Sequence, residues 1–357
     1  MDIKKATQAY EAWLAERIPL VAADLGLKHQ RMAEGAFPFL RATFYRWVQE
    51  WPRVCPELMS APTVLAVGDL HVENFGTWRD SEGRLIWGVN DFDEAFRAPY
   101  TNDLVRLAVS AVLAVRENHL TCDTADVCDA ILAGYQEELE KGGKPFVLSE
   151  QHPWLRDLAL SDRRDPAQYW AKLGKLPIVR KGIPPVVQAA LKQALPERPL
   201  PFRWVHRQAG LGSLGRRRFT ALSEWRGGML AREAKELAVS AWCWENAKRD
   251  SKGLFYQTAI DQAVRVPDPF VRLEGQWLVR RLAPDCSRIE LSSLPKTDDE
   301  LRLLRAMGSE TANVHLGAKA AARIVLDDLK KRPAKWLRKA VGAMSTAIIE
   351  DWKAYKL

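Results

Sequence analysis

Gly68-Asp69-Leu70-His71-Val72-Glu73-Asn74 and Asn90-Asp91-Phe92-Asp93-Glu94 bring together the residue types that phosphoryl transfer requires. One carboxylate must take or orient the acceptor hydroxyl proton, while an amide oxygen and a second carboxylate hold Mg²⁺ on the phosphates. Asp69, Asn74 and Asp91 supply these types in two short segments. Singly, each acid is explained as well by capping a strand or binding turn amides. Jointly they point to function.

Two strands are expected to position them. Pro62–Val67 is an apolar, β-branched run that should be a buried strand ending at Gly68, and Arg84–Val89 reads as a second one ending at Asn90-Asp91. Arg79-Asp80-Ser81-Glu82-Gly83 between them has hairpin-turn composition. The pair would deliver Asp69, His71, Asn74, Asp91 and Asp93 to one edge.

A phosphate-binding turn is expected further on. Gly210-Leu211-Gly212-Ser213-Leu214-Gly215 fits G-x-G-x-x-G, a weak signal shared with dinucleotide folds. A dinucleotide fingerprint opens a helix, whereas Arg216–Trp225 alternates like a strand, with Phe219 and Ala221 on one face. Arg226-Gly227-Gly228 then makes a turn, and Met229–Lys235 forms a third strand. A glycine turn between antiparallel strands, with a lysine on the next, is the kinase phosphate-covering arrangement. Gly210, Gly212, Ser213 and Gly215 would let backbone amides approach phosphate, and Lys235 would add a point charge. Glu245 is a candidate partner for Lys235; Glu233 and Glu236 read as neighbours. The plainer alternative is a surface β-meander with hairpin glycines and a solvated lysine.

The two acidic segments resemble the catalytic and metal loops of the protein-kinase-like superfamily, in its aminoglycoside and choline phosphotransferase branch. The loop there reads His-Gly-Asp-x-His-x-x-Asn, and Val67 stands in place of the leading His. Asp103-Leu104-Val105-Arg106-Leu107 resembles that branch's Asp-Leu-Ala element, with Asp103 as a buried anchor opening a helix. The resemblance implies Asp69 as catalytic base, His71 as orienter of the loop, Asn74 and Asp91 as Mg²⁺ ligands, and Asp93 as an accessory group beside them. The 67 residues before Gly68 look helical and hold no glycine-rich loop or strand-borne lysine, so the nucleotide lobe must lie downstream.

The chain as a whole resembles a bacterial family catalogued as a domain of unknown function, number 2252. The marks are Arg31–Arg41, Gly68–Gly76, Asp91–Glu94, Gly210–Arg217, Lys235–Ser240, Leu278–Leu282 and Ala312–His315. Ala42 stands where that family often has Gly. The resemblance implies a two-lobed, α+β, protein-kinase-like fold, circularly permuted: a helical catalytic-loop lobe (1–148), a linker or insertion (149–200), a nucleotide-binding β lobe (201–295) and closing C-terminal helices (296–357). Lys235 and Asp91 should then meet across a cleft. The expected activity is ATP- and Mg-dependent phosphoryl transfer to a hydroxyl-bearing small molecule, with AMP transfer or an inactive nucleotide-binding scaffold as alternatives.

The bulk properties fit a cytoplasmic enzyme. The 357 residues, 47% of them apolar, can bury sizeable cores. The five cysteines form no C-x-x-C pair, which argues for free thiols, and Cys122, Cys128 and His119 match no standard zinc spacing. No apolar leader follows Met1, and no run reaches membrane-spanning length. A net charge of +8 and the clusters Arg216–Arg218 and Lys330–Lys339 raise nucleic acid as a rival ligand, although acids are spread through the same chain. Gly-Asp-x-His also begins a metallophosphoesterase pattern, but its further Gly-Asp and Gly-Asn-His segments are missing. His315, near the end of a C-terminal helix, is either a packed core histidine or a contact of the catalytic loop.

Overall fold

Apolar residues at helical spacing turn the first 54 positions into α1 (Ile3–Ala15), α2 (Ala22–Glu34), α3 (Ala36–Ala42) and α4 (Phe44–Val54). Four short strands follow: β1 (Thr63–Ala66), β2 (Phe75–Arg79), β3 (Leu85–Val89) and β4 (Phe96–Pro99). The chain continues through α5 (Tyr100–Arg116), α6 (Thr124–Lys141), β5 (Phe146–Val147) and α7 (Leu148–Gln151) to α8 (Pro153–Ala159), α9 (Pro166–Gly174) and α10 (Pro185–Gln193). Next come β6 (Arg203–Val205), β7 (Arg218–Trp225), β8 (Gly228–Glu236), α11 (Ala241–Glu245), α12 (Tyr256–Gln262), β9 (Arg272–Glu274) and β10 (Trp277–Leu282). Three helices close the chain: α13 (Asp299–His315), α14 (Lys319–Lys331) and α15 (Trp336–Lys356). This computed structural model describes residues 1–160, 165–245, 253–286, 299–317 and 319–357. The boundary expected at 295/296 lies outside them.

The protein is α+β, with three small antiparallel sheets ordered β1-β4, β2-β3-β5 and β6-β7-β8-β10-β9. The turn at Arg79–Gly83 is a hairpin, but it joins β2 to β3, while β1 pairs with β4. The expected pairing of the two acidic-loop strands is therefore corrected. Phe75–Arg79 is a buried strand in its own right, and Gly76 interrupts its apolar pattern enough to hide it.

Helix α5 is buried from Tyr100 through Ala114 and runs through the main core. Across the five-stranded sheet, Phe219, Ala221, Ala234, Trp277 and Val279 cluster with Val187, Ala190 and Leu191 of α10. On the other side of the sheet, Leu222, Ala231 and Leu282 pack against Leu173 of α9. The 149–200 segment thus covers the sheet with one helix on each side. No described helix is long and apolar enough to cross a membrane.

Helices α6 and α13 cross where each has a glycine. A Cβ on Gly134 would lie 2.0 Å from the Arg305 carbonyl oxygen, and one on Gly308 would lie 2.1 Å from that of Ile131. Backbone has replaced side chain at this contact, so added volume cannot be absorbed by a rotamer change. We expect Gly308→Ala to force the helices apart and destabilise the protein by about 1–3 kcal/mol. The shift in urea midpoint at unchanged m-value checks this.

Candidate functional site

A short chain of hydrogen bonds shapes the Gly68–Asn74 loop. Gly68 has a φ of +82°, and a Cβ there would lie 2.3 Å from the Glu94 carbonyl oxygen, so only glycine fits where the two acidic segments touch. Beneath the loop, α5 presents Asp103, Arg106 and Ser110 on one face at i, i+3 and i+7. Asp103 accepts from the Val67 and Gly68 amides at 2.7 and 3.0 Å, and from the Asn102 amide at 3.0 Å. Ser110 accepts from the Val72 amide at 3.0 Å.

The fourth donor to Asp103 is His315 Nε2 at 3.0 Å, and the other ring nitrogen of His315 meets the Tyr135 hydroxyl at 2.8 Å. His315 is thus both a core histidine and an indirect support of the loop. The buried-anchor role expected for Asp103 matches this geometry.

Arg106 holds Asp69. Its Nε and Nη2 donate to Asp69 Oδ1 at 2.9 and 2.5 Å, while its fully buried guanidinium lies over the Phe44 and Trp47 rings. Oδ2 is left for something else. Burial raises the Asp69 pKa, with Arg106 opposing that rise. A Cβ at Gly212 would come within 3.3 Å of Oδ2 and 3.0 Å of the Arg41 carbonyl, so the missing side chain keeps space open beside the oxygen. The sequence signal for Arg106 is its spacing of three from Asp103 on one helix.

Asn74 donates its side-chain amide to the Asp69 carbonyl at 3.2 Å and the Asp91 carbonyl at 3.0 Å, tying the two acidic segments together. That orientation leaves its Oδ1 free of the two ties. His71 accepts from the Glu73 amide through Nδ1 at 3.2 Å, which caps the short turn Val72–Asn74.

Lys235 comes to these groups from β8, with 1% of its side chain exposed. Its ammonium donates to Asp91 Oδ2 at 2.7 Å across 144 positions of sequence, and it also pairs with Asp93. Arg216 reaches Asp93 at 3.3 Å and Glu94 at 3.0 Å. Asp93 Oδ1 is buried and accepts no hydrogen bond. The two carboxyls titrate as a pair. Burial would raise both, but Lys235 and a hydrogen bond from Asp93 hold Asp91 below the usual range. Asp93, buried against the Asp91 charge, is held above it.

Glu245 is not the partner of Lys235: it accepts from Gln49 at 3.1 Å, far from the β8 lysine's two aspartates. Glu233, fully buried, gathers Arg207, Arg218 and Arg280, and Glu236 takes Arg217. The Arg216–Arg218 cluster is therefore spent on internal ion pairs. At the other basic cluster, Arg332 pairs with Asp328 and Arg338 with Asp129.

Asp69, His71, Asn74, Asp91, Asp93, Glu94 and Arg216 line a cleft of about 1240 Å³ together with Gly210, Gly212 and Ser213 of the glycine turn, while Lys235 lies behind its wall. Gly215, at a φ of +96°, packs against Leu25 instead. The turn closes on itself through Ser213 N–H to the Gly210 carbonyl at 3.0 Å. Among the described residues, no group of three or more His, Cys, Asp or Glu side chains forms a metal cage.

Two outcomes are expected from the supports. In Asp103→Asn, whichever way the amide turns, its NH₂ faces two donors, so stability should fall by about 2–3 kcal/mol in a denaturation experiment. Glu310 accepts from the Val89 amide at 3.1 Å, behind the strand that carries Asp91, and burial pushes its pKa up to about 7 against the pull of Arg265. The folded protein holds this proton more tightly than the unfolded chain. Its contribution to stability is therefore lost as pH rises from about 4.5 to about 7. Glu310→Gln should flatten that part of the stability profile and be the more stable of the two above it, as measured by denaturation across the window.

No curated protein and no solved structure matches this chain. Residues 20–165, which contain Asp69, Asn74, Asp91, Asp93, Asp103 and Arg106 but not the glycine turn or Lys235, match the profile of a family described as an uncharacterized protein conserved in bacteria, DUF2252.

Proposed function

We propose that this protein is a Mg·ATP-dependent phosphotransferase with a permuted protein-kinase-like arrangement, acting on a hydroxyl-bearing small molecule. The observation that carries the reading is the closure of Lys235 from β8 onto Asp91 and Asp93, which line one cleft with Asp69 and Asn74. Its context supports the same reading. A glycine turn precedes β7, and the lysine lies on the third strand of the β6-β7-β8 meander, as in the phosphate-covering part of protein kinases.

The donor set fits a hard cation. Asp93 Oδ1 is a buried carboxylate oxygen without a partner, and Asn74 holds its amide nitrogen on backbone, which leaves an amide oxygen. Asn74, Asp91 and Asp93 would hold magnesium, which when bound supplies charge neutralisation for the phosphates. Lys235 balances the aspartates and offers a cation to the nucleotide. Asp69, with Oδ1 fixed by Arg106, presents Oδ2 to the acceptor hydroxyl and takes its proton there. A carboxyl whose pKa is raised by burial suits that task better than an exposed one.

The test is thermal unfolding with and without Mg·ATP. Ligand at a hundredfold excess over its Kd should stabilise the wild type by about 2.7 kcal/mol, and Asp91→Ala should lose that shift relative to its own unliganded midpoint. Asp69→Asn should keep the shift and lose phosphoryl transfer to a panel of small hydroxyl compounds. A wild type indifferent to Mg·ATP overturns the proposal.

A further inference from the structure

Helix α2 forms one wall of the cleft, and it places a lysine where no counter-ion waits. Leu27, Lys28, Arg31 and Glu34 line the cavity from successive turns of this helix. Lys28 is 4% exposed, yet it forms no ion pair among the described residues. Its ammonium donates to the Gly212 carbonyl at 3.2 Å and lies 5.9 Å from the Tyr45 ring centroid. Burial pulls its pKa down to about 8, and the charges around it (Glu11, Glu94 and Asp69 against Arg216) act only through space. A buried ammonium with one carbonyl and one ring for company is an expensive arrangement, and a native fold keeps it where an anion will complete it.

The position says what kind of anion. Gly212, which receives the Lys28 hydrogen bond, is the residue whose missing Cβ leaves space beside Asp69 Oδ2. Further ties fix α2 to this turn: Asp24 accepts from Gln208 at 2.7 Å and pairs with His206 at 3.1 Å, and the Val21 amide donates to the Gly215 carbonyl at 2.8 Å. Lys28 is thereby held at the Asp69 end of the cleft, where the reacting groups would meet.

We propose that Lys28 is the cation of an oxyanion subsite next to Asp69, taking a phosphate or carboxylate group carried into the cleft. This rests on the phosphotransferase reading for its role, though not for its existence. The group is either the terminal phosphate of the nucleotide or an anionic substituent of the acceptor, and both have the same chemistry at Lys28 Nζ.

The experiment uses the full chain, its Lys28→Met variant and its Lys28→Arg variant, with inorganic phosphate, Mg·ATP and Mg·ADP as probes in thermal unfolding and titration calorimetry. Inorganic phosphate should raise the midpoint of the wild type and leave Lys28→Met unmoved, with Lys28→Arg retaining part of the response. In phosphate-free buffer Lys28→Met should unfold no earlier than the wild type, since it removes a buried uncompensated charge; this separates a lost subsite from a damaged fold.

If the subsite takes the nucleotide's terminal phosphate, Lys28→Met weakens Mg·ATP by about tenfold or more and leaves Mg·ADP unchanged. If it takes the acceptor's anion, neither nucleotide is affected while the phosphate response is still lost. Phosphate acting equally on wild type and Lys28→Met, or on neither, overturns the subsite. A phosphate response that depends on Lys28 in a protein that ignores Mg·ATP would uphold the subsite and overturn the phosphotransferase reading.

Discussion

One ammonium group ties the five-stranded sheet to the acidic loop that lines the cleft. Lys235 sits on β8 with 1% of its side chain exposed, and its partners Asp91 and Asp93 belong to a loop more than 140 positions earlier. Taking a charge such as the Lys235 ammonium out of water costs several kcal/mol, and attraction to its partners recovers this only with close geometry and further hydrogen bonds. Here the geometry is close, yet the set is left incomplete. Two carboxylates share one lysine and an arginine, and Asp93 Oδ1 has no donor. A purely structural ion pair would be expected to satisfy every oxygen. Asp93 Oδ1 is a buried exception to that rule.

The loop opposite owes its shape to a single helix face. Asp103 absorbs four donors, two on each oxygen, which fixes the strand end at Val67-Gly68; Arg106, one turn on, fixes the Asp69 carboxylate; Ser110, another turn on, fixes the Val72 amide. Because α5 is buried for most of its length, the loop is referenced to the core rather than to other loops. That is what precise placement of a carboxylate requires. Arg106 occupies one oxygen of the half-buried Asp69 and orients the other.

Much of this was legible in the sequence, and the misses share a cause. β-Branched runs ended at the right glycines and acids, Phe219 and Ala221 do lie on one face, and the Gly227-Gly228 turn leads into a strand carrying Lys235. Local composition carried those readings. Partnerships did not follow from it. β2 was hidden behind Gly76; the meeting of Lys235 with Asp91 was expected from the family resemblance and not from local composition, and the glutamate suggested for Lys235, Glu245, accepts from Gln49 instead. Lys28 carried no signal of its own, because sequence does not record which lysine a distant turn will bury.

Charge is sorted within the cleft. On the sheet side, three guanidiniums from β7, β10 and the β6–β7 connection converge on Glu233. Those arginines hold the Glu233 carboxyl well below its usual range, so the hub keeps its charge at any ordinary pH. On the loop side, Asp69, Asp91, Asp93 and Glu94 put four carboxyls within reach of Lys235, Arg106 and Arg216. A nucleic-acid surface would spread its cations outward along a face. Here the Arg216–Arg218 run turns inward onto Asp93, Glu94, Glu236 and Glu233, so it is spent within the fold.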